Sequence, residues 1–255
     1  MVRYGASGRE VVLRDGDYEA RIVTVGAGLA GLTYRGHEVI VPHRVDECPP
    51  AYLGKVLMPW PNRVAGGAYS WEGTSYDLPV DEPAFGTSLH GFVAFQDWRV
   101  DRADASCVQL STLIAARYSY PWTLLASARY SLDARAGLTV ELSATNVGQG
   151  TAPLGVGFHP YLAVDGIRAD HLELTNPASI IYEADASMIP VAAHDVAGFG
   201  LDFRSPTVIG EAGLDHCFAG LPPGTWTVTL RDPDSGVGVS LSSDARWLQV
   251  YTADN

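Results

Sequence analysis

The sequence has 255 residues, of which 47% are hydrophobic and 18% charged, and its formal net charge is −12. This composition supplies a core for one large domain or two small ones, and an acidic chain without basic runs is not expected to bind nucleic acid or an anionic membrane. No apolar run is long enough to cross a membrane, and the N-terminus lacks the apolar segment of a secretory signal. The three cysteines, Cys48, Cys107 and Cys217, form neither a disulfide framework nor a CxxC metal site, so we expect a reduced, cytoplasmic protein.

Glycine and proline are scattered along the whole chain, with 27 and 16 residues respectively, which is typical of many short antiparallel strands. No repeat, low-complexity linker or change in composition marks a boundary, so the sequence predicts a single domain over residues 1–255. No segment longer than about ten residues has a helical period, and we therefore predict an all-β fold with little helix.

The first predicted strands, Glu10–Leu13 and Glu19–Val25, are followed by Gly26-Ala27-Gly28-Leu29-Ala30-Gly31. This pattern matches the G-x-G-x-x-G fingerprint of dinucleotide-binding proteins, in which a helix opens at the last glycine. Here the continuation through Leu32–Pro42 is rich in β-forming residues and contains a glycine turn at Gly36. We therefore predict a hairpin at this position and not a dinucleotide site.

Asn62 and Arg63 lie in a loop framed by Pro59, Pro61 and a glycine pair. A stiff loop can hold an arginine fork in a fixed position, which suits the recognition of oxygen-rich ligands. Taken alone, Arg63 is more typical of a surface arginine with an apolar stem than of a ligand-binding residue. A hairpin is predicted directly after the loop, over residues 69–78.

Two histidines stand beside glycine. His90 precedes Gly91, where the chain can approach a ligand closely, although a capped loop histidine explains the same pattern. His159 ends a stretch with strict alternation, in which one face is expected to point to the core and the other to form a glycine floor beside the imidazole. The expected core face consists of Leu154, Val156 and Phe158, and the other face of Gly155, Gly157 and His159.

Further strands are predicted over residues 106–115, 124–132 and 138–145, and an aromatic turn that contains Trp122 lies between the first two. Asp215 lies two residues after Gly213 and shortly before a hydrophobic run. Two histidines, a fixed arginine and an aspartate suit the recognition of sugar hydroxyls, and an aromatic face such as that of Trp122 can cover the apolar side of a sugar ring. Histidine can also donate or accept a proton near neutral pH.

Five motifs occur in the order found in aldose 1-epimerases (galactose mutarotases), and the resemblance extends from about residue 17 to the end of the chain. They are Asn62-Arg63-Val64-Ala65-Gly66-Gly67, Leu89-His90-Gly91, Gly157-Phe158-His159-Pro160-Tyr161, Leu214-Asp215-His216 and Gln249-Val250-Tyr251-Thr252. The resemblance implies a galactose-mutarotase-like β-supersandwich of mostly antiparallel strands. It also implies interconversion of the α and β anomers of a free aldose, without a cofactor or metal.

The same resemblance implies roles for individual residues. His159 would be the general acid that protonates the ring oxygen, and His90 would act with it in catalysis by holding oxygens on the ring side. Asn62, Arg63, Asp215 and Trp122 would bind the substrate, which is expected to be a neutral hexose. The protein is expected to be a monomer or a homodimer.

The family's general base is a glutamate in an E-P motif downstream of Gln249–Thr252, and the sequence as given ends three residues after Thr252. Three explanations remain open: a sequence shorter than the natural protein, a natural sugar-binding protein without turnover, or another carboxylate in this role, such as Asp215 or Glu183. A hexose-6-phosphate epimerase also remains open, with Arg117 as a candidate phosphate ligand. A carbohydrate lyase or hydrolase would need a carboxylate pair that the sequence does not reveal.

Overall fold

The computed structural model describes residues 4–253, and within that range it consists of strands, loops and two very short helices. The predicted all-β fold is confirmed. Contacts divide the chain into two compact units, one ending at Tyr161 and the other beginning at Leu162. Among the described residues, no helix has both the length and the apolarity to cross a membrane.

The first unit contains fourteen strands among the described residues. They are β1 (Glu10–Asp15), β2 (Tyr18–Val23), β3 (Gly28–Tyr34), β4 (His37–Glu38), β5 (Val56–Leu57), β6 (Arg63–Ala65), β7 (Ala68–Trp71), β8 (Thr74–Asp77), β9 (Thr87–Leu89), β10 (Arg99–Ala103), β11 (Cys107–Ile114), β12 (Leu124–Asp133), β13 (Gly137–Asn146) and β14 (Gly157–Phe158). Strands β1 to β4 form one antiparallel meander and β10 to β13 a second, while β5 pairs with β14, β6 with β9 and β7 with β8.

The core of this unit is built by the inward residues of the two meanders. Leu13 and Ile22 from the first sheet, and Leu110 and Tyr130 from the second, are fully buried. The Tyr130 hydroxyl donates a hydrogen bond to the carbonyl of Ala27, which satisfies its polar group inside the core. The strands predicted over residues 124–132 and 138–145 are confirmed as β12 and β13.

The second unit contains eight strands and both helices among the described residues. They are the 3₁₀ helix Ala169–His171, β15 (Glu173–Thr175), β16 (Ile180–Ala184), β17 (Pro190–Asp195), α1 (Val196–Phe199), β18 (Thr207–Val208), β19 (Asp215–Ala219), β20 (Trp226–Arg231), β21 (Gly238–Ser243) and β22 (Leu248–Tyr251). They form two four-stranded sheets, ordered β18-β15-β20-β21 and β17-β16-β19-β22.

The G-x-G-x-x-G element enters strand β3, so the predicted hairpin is confirmed. Its glycines make room for two basic side chains. A Cβ on Gly26 would lie 2.4 Å from the carbonyl oxygen of Ala94 and 2.7 Å from Cδ of Lys55, and one on Gly31 would lie 2.8 Å from Nε of Arg21. The motif therefore serves the close packing of the chain against the backbone of Ala94 and the side chains of Lys55 and Arg21.

The predicted strand at Leu154–His159 is shorter than expected, because only Gly157–Phe158 pairs, with β5. Leu154 and Val156 are 45% and 39% exposed, so the expected core face is wrong for these two residues. The reason lies on the opposite side, where a Cβ on Gly157 would approach Cβ of Pro61 to 2.7 Å. The glycine floor is thus occupied by the Pro61 loop, and the close neighbour is protein.

Candidate active site

His159 directly follows β14 and is held through its backbone on both sides. Its N–H donates to the carbonyl of Lys55 at 3.0 Å, and its own carbonyl accepts from the N–H of Gly54 at 2.8 Å. Pro160 follows and has no N–H for a ladder. The strand therefore ends here, and the backbone that carries the imidazole is held in place.

His90 is brought beside Asn62 and Arg63 by the pairing of β6 with β9, in which Arg63 lies opposite Leu89. The N–H of His90 donates to the carbonyl of Asn62 at 3.0 Å. Both residues have a left-handed backbone, with φ near 60°. Side chains other than glycine rarely adopt this conformation, and it is common where surrounding structure holds functional groups in place.

The His90 ring has a defined tautomer. The backbone N–H of Asn62 donates to its Nδ1 at 2.9 Å, so in the neutral ring the proton lies on Nε2. Burial, together with the neighbouring His159 and Arg63, lowers the pKa of His90 to about 3. At neutral pH, His90 is therefore an uncharged ring that can donate one hydrogen bond from Nε2.

The two histidine rings lie next to each other, with centroids 5.4 Å apart and planes at 87°. Tyr52 contacts His90 edge-on at 4.5 Å, and Tyr161 stacks on His159 at 5.3 Å. Each histidine ring therefore has an aromatic neighbour besides the other histidine, and the burial of His90 favours its uncharged form.

Arg63 is mostly enclosed, with 13% of its side chain exposed, and forms two hydrogen bonds with Glu82. Sequence analysis identified Arg63 but missed Glu82 and Tyr52, because neither stands in a distinctive local pattern.

Lys55 was also missed, although it is the single lysine of the sequence. It is 1% exposed, its Nζ donates to the carbonyl of Val25 at 2.8 Å, and burial lowers its pKa to about 8.

Trp122 is 8% exposed and packs edge-on against Tyr76 and Tyr120. Its ring faces are thus largely occupied by protein, in contrast to an open platform, and its contact with a sugar stays a prediction.

The first unit brings together four of the predicted site residues, namely Asn62, Arg63, His90 and His159.

Asp215 belongs to the second unit, at the start of β19 opposite Tyr251. Its Oδ1 accepts a hydrogen bond from Nε2 of Gln249 at 2.7 Å, so two members of neighbouring motifs are paired there. Glu183, the other carboxylate considered as a substitute base, lies 2.9 Å from Nε2 of His194 on the adjoining strand.

Comparison with known proteins gives a consistent result. The family model for aldose 1-epimerase matches residues 9–255. The chain is 40% identical to protein YihR of Escherichia coli, over 97% of this chain and 80% of that protein. It is 35% identical to E. coli YphB, over 73% of this chain and 61% of that protein, and 26% identical to human galactose mutarotase, over 80% and 63%. It thus spans less than two thirds of the length of the last two relatives.

Solved structures share the fold. A GalM/aldose epimerase homologue from C. elegans superimposes with a TM-score of 0.84 at 22% identity, covering 95% of this chain and 82% of that one. A galactose mutarotase-like protein from Clostridium acetobutylicum gives 0.83 at 17% identity, with 96% and 80% covered. The fold is galactose-mutarotase-like, and the match of the family model over nearly the whole sequence shows that this chain belongs to the aldose 1-epimerase family.

Proposed function

We propose that the protein is an aldose 1-epimerase that interconverts the α and β anomers of a free hexose. The observation that supports this most is the pair of histidine rings 5.4 Å apart, one of which is held neutral in a fixed tautomer. Two histidines in such different settings can take different roles at a sugar ring.

In the proposed reaction, His159 in its protonated form donates a proton to the ring oxygen while a base removes the proton of the C1 hydroxyl. The bond between C1 and the ring oxygen breaks and gives the open-chain aldehyde. Rotation about C1–C2 exposes the other face of the carbonyl, and the reverse proton transfers close the ring. No group is lost, so sugar and enzyme are both regenerated.

His90 supports this reaction as a hydrogen-bond donor through Nε2, since its low pKa keeps it from carrying the transferred proton near neutral pH. Arg63 and Asn62 are proposed to bind sugar hydroxyls, as is Asp215. The base is proposed to be a carboxylate, the group that takes this role in the family.

Exchange NMR on D-galactose and D-glucose at anomeric equilibrium tests the proposal. We expect exchange between the anomers to be faster than in buffer, and the increase in rate to be proportional to enzyme concentration. If the protein does not accelerate exchange while saturation-transfer NMR detects sugar binding, it is a non-catalytic sugar-binding member of the family and the proposal is wrong.

A hexose-6-phosphate epimerase is the second candidate, and the surroundings of Arg117 favour keeping it. Its guanidinium lies 3.8 Å from the centroid of the Phe92 ring, two residues beyond His90, and it forms no ion pair with a carboxylate among residues 4–253. Glucose 6-phosphate in the same exchange assay separates the two candidates. A kcat/KM for the phosphate that exceeds the value for glucose and falls in Arg117→Gln would favour the second.

A further inference from the structure

The guanidinium of Arg63 is fixed at its edge by Glu82. Its Nε donates to Oε2 of Glu82 at 2.7 Å and its Nη2 donates to Oε1 at 2.8 Å, which is the bidentate geometry of a strong arginine–carboxylate pair. The two side chains are only 13% and 18% exposed. Solvent therefore screens this pair much less than the exposed ion pairs of the chain.

Glu82 is itself held by a short loop. The hydroxyl of Thr87, which is fully buried, donates to Oε2 of Glu82 at 2.6 Å. The backbones of Glu82 and Thr87 also exchange two hydrogen bonds, at 3.1 and 3.3 Å. Phe85 lies within this loop, and its ring centroid is 5.0 Å from Cζ of Arg63. The loop thus restrains the guanidinium at one edge and beside a ring.

The pair leaves Arg63 with donors but little net charge. Burial by itself would raise the pKa of Glu82, but the hydrogen bonds from Arg63 and Thr87 outweigh burial and hold the pKa below its usual value. Glu82 is therefore a carboxylate at neutral pH. Arginine has five N–H donors, of which Glu82 occupies one on Nε and one on Nη2, so three remain for other partners.

We propose that Glu82 is a positioning residue that sets the specificity of this site for uncharged sugars. By orienting Arg63 and cancelling its charge, it makes the guanidinium a donor to neutral hydroxyls and removes the attraction that a free arginine would exert on a carboxylate. Sugars with a carboxylate next to Arg63, such as aldouronates, are disfavoured for this reason. This inference rests on the proposed function, since it takes Arg63 as a sugar ligand.

The substitution Glu82→Gln tests the proposal because it keeps the size of the side chain and removes its charge. The dissociation constants of D-galactose and D-galacturonate are measured by NMR titration, and anomer exchange is measured for both. We expect galactose to bind about 10-fold more weakly and the ratio of galactose to galacturonate affinity to fall by about 10-fold or more. For galactose, KM should rise with less than a threefold change in kcat.

Glu141→Gln is the matched control, because Glu141 pairs with Arg129 at 3.2 Å on the exposed side of the β12–β13 ladder. It removes the same charge and should leave the affinity ratio unchanged within twofold. If Glu82→Gln retains the wild-type ratio, the proposal is wrong.

Thr87→Val provides a second variant should Glu82→Gln fail to fold. It removes only the hydroxyl bond to Glu82 and should shift the affinity ratio in the same direction by about threefold. A folded Thr87→Val variant with an unchanged ratio would then overturn the proposal. A wild-type protein that binds galactose without exchanging its anomers would disprove the epimerase activity and leave the affinity ratio as an independent result.

Discussion

The sheet β10–β13 and the region around His90 belong to the same unit but are built in opposite ways. The ten-residue strands β12 and β13 pair without interruption, and their side chains alternate between core and solvent. The region around His90 uses strands of two or three residues, namely β5, β6, β9 and β14. It also uses left-handed backbone at Asn62 and His90 and places polar groups inside. Regular pairing therefore provides stability, while irregular pairing provides orientation of functional groups.

The largest expected effect comes from removing the proposed acid. His159→Asn keeps a polar side chain of similar shape but cannot transfer the proton, so kcat for anomer exchange should fall by about 10²–10⁴-fold. The dissociation constant of galactose should change less than threefold. Exchange NMR and NMR titration provide the two numbers, and His171→Asn, at a side chain that is 72% exposed, is the control. A His159→Asn variant with full exchange rate would refute the assignment.

The next effect concerns the backbone beside His90. Gly91 has φ +74°, and a Cβ there would lie 2.2 Å from the carbonyl oxygen of Met58. We expect Gly91→Ala to lower the free energy of unfolding by about 3–5 kcal/mol, because left-handed strain adds to a steric clash.

Gly36→Ala is the matched control, since Gly36 has φ +84° but open space around the added Cβ. It should cost only about 1–2 kcal/mol. Urea denaturation measures the free energy of unfolding of both variants. Equal losses at the two positions would show that the close contact of Gly91 with Met58 does not add to the left-handed strain.

A smaller effect depends on pH. The pKa of Lys55 in the folded protein is about 8, below the value of about 10.4 in an unfolded chain. Between these two values the unfolded state binds more protons, so the contribution of Lys55 to stability increases as pH rises. Relative to Lys55→Met, the wild-type free energy of unfolding should rise by about 1–3 kcal/mol from pH 7 to 10.

Urea denaturation at several pH values measures this difference. Burial raises the pKa of Cys217 to about 11, so this thiol and the tyrosines also titrate at high pH. Their contributions to stability cancel when the wild type is compared with Lys55→Met. Parallel stability curves for wild type and Lys55→Met would show that Lys55 is not destabilised by burial.

The smallest effect is expected in the regular sheet. Arg129 and Glu141 form an ion pair between β12 and β13 with 53% and 61% of their side chains exposed. Glu141→Ala should change the free energy of unfolding by no more than about 1 kcal/mol, because solvent screens the pair. A larger decrease in the free energy of unfolding, measured by urea denaturation, would contradict this expectation. It would mean that exposed ion pairs stabilise the sheet as strongly as buried polar groups stabilise the region around His90.

The same contrast explains what could be predicted from the sequence. The local sequence pattern identified β12 and β13, because a strand signal depends only on neighbouring residues. Alternation failed at Leu154 and Val156, since the close packing of Pro61 against the glycine face is a contact between distant parts of the sequence. The grouping of Arg63, His90 and His159 was anticipated from the order of the family motifs.

Other features of the candidate site could not be read locally. Glu82 contacts Arg63 across nineteen residues, and Tyr52 meets His90 through a loop without a recognisable pattern. The neutral state of His90 depends on burial and on the backbone N–H of Asn62, and neither is visible before the chain is folded.

The burial of Lys55 has a practical consequence. Because the 255-residue sequence contains one lysine, a lysine-specific endoproteinase has a single internal target, the peptide bond after Lys55. The carbonyl of that bond accepts a hydrogen bond from the N–H of His159. Cleavage requires this segment to open, so at low protease concentration the digestion rate reports the opening free energy of the region around the two histidines. A sugar that binds there should slow digestion in proportion to its occupancy, which provides a ligand screen that needs neither turnover nor a label.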